Sequence, residues 1–162
     1  LLLPLLAQAV TLEDVYATAP PMAGYDRVLM LESGEVYTGG IVILDENIAI
    51  WGNGASVDLQ TGSVIAMGNG NLDIDGCVFM NGDIAVSVSD DVRTNISNCV
   101  FYNNNRGIQH YSSLGAPLIV YNTIFMNNRN YAVYTSEENL TYMLYNVAYN
   151  NAAGHFVAGC GS

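Results

Sequence analysis

The sequence predicts an all-β fold, a parallel β-solenoid of about five to six coils behind a short N-terminal capping helix, and three observations carry that prediction. The first is internal repetition: residues 76–81 (GCVFMN), 98–103 (NCVFYN), 122–127 (NTIFMN) and 146–151 (NVAYNN) align, with starts 22, 24 and 24 residues apart. An earlier copy, 48–52 (IAIWG), puts Gly52 24 residues before Gly76. The second is three short strands per copy. An alternating segment (48–51, 72–75, 94–97, 118–121, 142–145) precedes the aligned run, and a third apolar island follows at Val64, Val86, Ile108, Val133 and Phe156. Strands this short cannot each bury a face alone, so successive copies must stack. The third is the recurrence of Gly52, Gly76, Asn98, Asn122 and Asn146 between the first and second strands. These residue types tolerate a left-handed backbone, which a sharp corner needs.

Taken in order, residues 1–9 (LLLPLLAQA) read as the distal part of a secretory signal, with small residues at alternate positions before the cleavage point. The expected location is therefore secreted, extracellular or cell-surface. The apolar run is too short to span a bilayer, so no membrane insertion is expected. Residues 10–24 form the cap: Thr11 and Asp14 make a capping-box variant, Val15, Tyr16 and Ala19 follow at helical spacing, and Pro20 and Pro21 end the helix. Such a helix would cover the unpaired strand edges of the first coil. Residues 25–162 are the solenoid. No similar cap follows the last copy, so a solenoid truncated at its C-terminus, with further coils or domains of the same chain, is expected.

Alternation along the first strand of each coil predicts which side chains enter the core. Ile48, Ile50, Leu72, Ile74, Ile96, Leu118, Val120 and Leu144 are expected inside. In the second strand, Phe79, Phe101, Phe125 and Tyr149 form one column and Val78, Val100, Ile124 and Ala148 another, with the inward one undecided. Asn98, Asn122 and Asn146, and separately Asn81, Asn103, Asn127 and Asn151, are expected to hydrogen-bond from coil to coil as ladders. Cys77 and Cys99 occupy equivalent repeat positions, as two stacked apolar side chains or as a disulfide; Cys160 stands apart, and no C-x-x-C pair suggests zinc. A leucine-rich repeat shares the period but requires Leu columns that are absent.

These columns resemble the right-handed parallel β-helix of the pectin lyase-like superfamily. The resemblance covers about residues 25–158: 25–39 (YDRVLMLESGEVYTG) is similar to the segment leading into the first coil, and 40–44 with 47–54 to the first-coil pattern. Its motifs are the ones that make coils stack, so they bear on fold far more than on activity. In members that act on polysaccharides, substrate lies along the outer face of the first parallel sheet.

That face is where chemistry is expected. Outward positions give a polar patch of Asp73, Asp75, Asn95 and Ser97, flanked by Trp51 on one side and by Tyr121 and Tyr145 on the other. Aromatic rings against sugar C–H groups, with carboxylates and amides on the hydroxyls, bind carbohydrate; the plain alternative is a solvated strand face. Asp73 and Asp75, with Asn95, could hold calcium. As catalytic candidates Asp73, Asp75 and Arg93 would serve a polysaccharide lyase or glycoside hydrolase, but the signatures of the enzymatic members are missing. There is no Lys, and His110 and His155 lack the Gly-His-Gly setting. The 4 cations against 15 acidic residues give a net charge of −11, which excludes nucleic-acid backbones and disfavours anionic glycans unless calcium bridges. The sequence thus favours a carbohydrate-binding β-helix module, with an enzyme and a structural stalk or adhesin segment as alternatives.

Overall fold

Six turns of chain stack as a three-sided prism in the computed structural model, which describes residues 9–112, 114–136 and 140–157. Residues 1–8 of the expected leader, and Cys160, lie outside the described residues. Sheet 1 comprises Arg27–Met30 (β1), Ile48–Trp51 (β4), Asn69–Asp75 (β7), Asp91–Ser97 (β10), Leu118–Tyr121 (β13) and Thr141–Leu144 (β16). Sheet 2 comprises Val36–Thr38 (β2), Ser56–Asp58 (β5), Val78–Met80 (β8), Val100–Tyr102 (β11), Ile124–Met126 (β14) and Val147–Tyr149 (β17). Sheet 3 comprises Ile41–Leu44 (β3), Val64–Met67 (β6), Ile84–Ser89 (β9), Arg106–Tyr111 (β12), Tyr131–Thr135 (β15) and Gly154–Val157 (β18). Each strand pairs in parallel with its counterpart one coil away.

The core follows from period-2 alternation, broken on sheet 3 where Ala85 and Val86, Gly107 and Ile108, and Ala132 and Val133 are buried in succession. Ile48, Leu72 and Leu118 share one inward column with Thr94, while Ile50, Ile74, Ile96 and Val120 share the next; all are buried. Phe79, Phe101 and Phe125 are the inward members of sheet 2. Their rings stack at centroid distances of 5.5 and 4.9 Å, and Val78, Val100 and Ile124 face out. On sheet 3 the expected island, Val64, Val86, Ile108, Val133 and Phe156, pairs in register.

Left-handed residues sit at the first corner, as expected, and at the second corner as well. Gly76, Asn98 and Asn122 (φ 69°, 53° and 49°) turn the chain from sheet 1 to sheet 2, and Asn81, Asn103 and Asn127 (φ 59°, 54° and 56°) turn it toward sheet 3. Outer ladders join them: Asn122 Nδ2 donates to Asn98 Oδ1 at 2.6 Å, and Asn103 Nδ2 to Asn81 Oδ1 at 2.8 Å. Gly52 is an exception, because the wider turn there places its positive φ on Asn53 and Gly54 instead.

The sixth coil departs from the expected register by one residue. Tyr121 pairs with Leu144, not with Tyr145, and Phe125 with Ala148, not with Tyr149. Leu144 consequently faces solvent rather than the core, Tyr145 takes the left-handed corner (φ 57°) in place of Asn146, and Asn150 replaces Asn151 in the outer ladder. The cause is a buried amide ladder that the repeat alignment did not anticipate. Asn151 Oδ1 accepts from the Asn128 backbone at 3.1 Å and from Asn128 Nδ2 at 2.8 Å, and Asn128 Oδ1 accepts from the Asn104 backbone at 3.1 Å. Asn104 Oδ1 in turn accepts from Gly82 N at 2.8 Å. Buried amides must find partners, so this inner ladder sets the register and the surface alignment yields to it.

The cap forms as expected over Leu12–Thr18 (α1), with the Thr11–Asp14 capping box closed in both directions. Leu12 is fully buried and plugs the top of the core. Tyr16 and Arg27 fasten the helix to the second coil: the Tyr16 hydroxyl donates to Glu46 at 2.5 Å, and Arg27 pairs with Glu46 at 3.3 Å while lying over the Tyr16 ring. Cys77 and Cys99 are stacked, buried, free thiols, and the Cys99 thiol beside Cys77 pushes it well above the usual thiol range, with burial adding to the effect. The connections from sheet 3 back to sheet 1 vary in length, from one residue (68 or 90) to six (112–117).

Candidate functional site

The longest strands of sheet 1, β7 and β10 with seven residues each, carry the polar patch. Their extension depends on Gly70, whose φ of 141° and closeness to Glu46 leave no room for a Cβ, which would lie 2.2 Å from the Glu46 carbonyl oxygen. Two outward columns cross the patch. One runs Ala49, Asp73, Asn95, Ile119; the other runs Trp51, Asp75, Ser97, Tyr121. Trp51, Asp73, Asp75, Asn95, Ser97 and Tyr121 line one open concavity of about 320 Å³, floored by Ile74. Trp51 and Tyr121 stand three coils apart, ~14 Å at the interstrand spacing, with the polar groups between them.

Hydrogen bonds fix the polar groups. Asp73 accepts from Asn95 Nδ2 on one oxygen and from the Tyr25 hydroxyl on the other. Asp75 Oδ1 accepts from Ser97 Oγ and Asn98 Nδ2, both at 2.6 Å, which leaves Asp75 Oδ2 without a donor among the described residues. Tyr25 had no signal in the repeat because it precedes the first coil. It reaches the patch as the chain leaves the cap, and Ala49, though outward-facing, is completely covered at that end. The phenol of Tyr25 is pushed up to about 12, first by its hydrogen bond to Asp73 and then by desolvation.

Two sequence-predicted residues fall differently. Tyr145 is not on this face: the one-residue shift puts it at the corner, 89% exposed, while Tyr142 and Leu144 take the outward positions of the sixth coil. Arg93 lies inside β10 on the same outer face, beside Asn71 and one outward step from Asn95. It makes no ion pair with Asp73 or Asp75, the Arg27–Glu46 contact being the one such pair among the described residues.

The arrangement suits recognition of a polyhydroxylated ligand: two aromatic flanks, two carboxylates, an amide and a hydroxyl, all pre-oriented. A resident calcium ion would take six to eight oxygens. Both Asp73 oxygens are committed to Tyr25 and Asn95, and no group of three acidic, His or Cys side chains able to hold a metal occurs among the described residues. Asp73 and Asp75 accept the hydrogen bonds that Tyr25, Asn95, Ser97 and Asn98 offer them. His110, the other residue with chemical potential, points inward from β12 and is buried, its Nδ1 3.1 Å from Thr135 Oγ1.

No helix among the described residues is long and apolar enough to cross a membrane. No curated protein and no solved structure matches the chain. The sequence profile of the family described as right handed beta helix region matches residues 35–162, which takes in five of the six coils and part of the first. The parallel coils, the stacked columns and this match agree, and the chain belongs to the right-handed β-helix family.

Proposed function

We propose that the chain is a secreted or surface-displayed β-helix module that binds carbohydrate along the outer face of sheet 1. The observation that carries this reading is the single concavity shared by Trp51, Tyr121, Asp73, Asp75, Asn95 and Ser97. A pyranose ring seated on Trp51 or Tyr121 would place its hydroxyls against Asp75 Oδ2 and the Asn95 and Ser97 side chains. A lyase or hydrolase acting through Asp73, Asp75 and Arg93 is the competing reading, and a stalk or adhesin segment without a ligand is the third. The hydrogen bonds that both Asp73 oxygens accept favour binding without turnover, because they hold that carboxyl in its ionised form, with no proton to deliver.

The test is an array of neutral and charged polysaccharides probed with the purified chain, read for retention and for release of reducing or unsaturated ends. Retention without product, lost in Trp51→Ala and Tyr121→Ala, supports the module. Product that disappears in Asp75→Asn would transfer the protein to the enzyme class. Silence on both measures would leave the stalk.

A further inference from the structure

Sheet 3 has a chemical character unlike the rest of the molecule. The chain carries 15 carboxylate side chains, yet none lies in any of the six strands of this sheet. What the outer face of sheet 3 does carry is a cation among tyrosines. Arg106, Gln109 and Tyr111 project outward from β12, and Tyr131 and Tyr134 from β15, the next strand; in register, Gln109 lies beside Tyr134. Tyr134 packs against Tyr111 at 5.3 Å between ring centroids and against Tyr131 at 6.4 Å. Tyr111 is 42% exposed.

Arg106 is the unusual member. Its Nη1 donates to Gln109 Oε1, and among the described residues its enclosed Nε meets no acceptor and no carboxylate stands within ion-pair distance. In a chain this acidic, a guanidinium near Tyr111, on a sheet whose strands carry no carboxylate, has no ion-pair partner among the described residues. Its second terminal nitrogen, Nη2, bonds no acceptor among the described residues and is the donor offered to an external one. Arginine binds carboxylate and sulfate through its planar donors, and tyrosine offers the ring face on which a pyranose packs.

We propose that the outer face of sheet 3 around Arg106, Gln109, Tyr111, Tyr131 and Tyr134 is a second saccharide site, selective for a sugar bearing a carboxylate or a sulfate. The anion pairs with Arg106 and the ring of the same or the adjoining sugar lies on Tyr111 and Tyr134. This site is separate from the sheet 1 face and does not depend on it.

The experiment is titration of the full chain by isothermal calorimetry with three hexasaccharides: a mannuronate oligomer, a sulfated glycosaminoglycan oligomer, and uncharged cellohexaose. The expected result is tighter binding of one or both anionic oligomers than of cellohexaose, weakening as salt rises. Arg106→Gln should reduce that binding tenfold or more, Tyr111→Ala should reduce it several-fold, and Trp51→Ala should leave it unchanged. Circular dichroism melts establish that each variant is folded, and Tyr111→Ala, at an exposed position, keeps the test valid if Arg106→Gln is not. Which anionic oligomer binds separates carboxylate from sulfate recognition. Equal binding of the neutral and anionic oligomers, no binding of either anion, or anion binding that survives both sheet 3 variants would overturn the proposal. Loss of anion binding in Trp51→Ala, with the sheet 3 variants intact, would overturn it too, by assigning the ligand to sheet 1.

Discussion

Replacing Asn128 by Ala tests whether the buried amide ladder governs the register of the coils. Asn128 is 1% exposed, and its side chain makes four hydrogen bonds. Nδ2 donates to the Phe101 carbonyl at 3.2 Å and to Asn151 Oδ1 at 2.8 Å; Oδ1 accepts from Asn104 N at 3.1 Å and Asn104 Nδ2 at 3.3 Å. Truncation removes all four. It also leaves the Asn104 backbone N–H buried without an acceptor, which by itself costs about 1–3 kcal/mol. With the net loss of the other three bonds at about 1 kcal/mol each, the total reaches about 4–6 kcal/mol, a large share of a typical domain's stability. For a chain of this length, that lowers the melting temperature by roughly 8–24 °C. Urea denaturation followed by far-UV circular dichroism measures the change. Asn105→Ala is the control: this neighbouring side chain bonds Asp83 at 2.8 Å on the outside and should cost at most about 0.5 kcal/mol. An Asn128→Ala protein within 1 kcal/mol of the parent, or no more destabilised than Asn105→Ala, would refute the argument that inner amides set the register.

Three further expectations concern titration and packing. His110 is pulled down to about 4 by burial, so between pH 6.5 and 4 the unfolded chain binds the extra proton and stability falls as pH falls; His110→Phe should flatten that limb of the pH–stability curve, as measured by urea midpoints. Tyr25, raised to about 12 by Asp73 and desolvation, keeps its proton longer when folded, so stability falls as pH rises from 10 to 12. Spectrophotometric titration at 295 nm should show one late-ionising phenol fewer in Tyr25→Phe. Cys77 and Cys99, both 1% exposed, should resist a thiol reagent in native buffer and react fully in urea, and rapid native labelling would contradict their burial.

The fold was legible because stacking requires identical positions to recur, and recurrence is visible in one sequence. Columns such as Val64, Val86, Ile108, Val133 and Phe156 were readable for that reason, and so was the pairing of Asp73 with Asn95 and Asp75 with Ser97. The last coil departs from the expected register because Asn146 resembles the corner residue Asn122 in sequence, whereas it is half-buried and bonds the Thr123 N–H and the Val120 carbonyl. Two adjacent asparagines, Asn150 and Asn151, made either alignment possible, and only the burial of one amide decides between them. Tyr25 was not legible at all: its contact with Asp73 spans 48 residues and no repeat partner announces it. The tyrosine and arginine cluster of sheet 3 was hidden for a related reason, because it is a departure from the repeat rather than an instance of it.

The unequal connections between sheet 3 and sheet 1 separate two properties that most folds tie together. The floor of the sheet 1 groove is fixed by strand pairing, which is the same where the chain crosses in one residue and where it takes six. The height of the wall along that floor is set by the connection alone. Lengthening the crossing at Asp90, or shortening the one between Tyr111 and Leu118, should therefore reshape the trough one rung at a time while leaving its base untouched. That makes these crossings places to graft a new specificity onto the same scaffold.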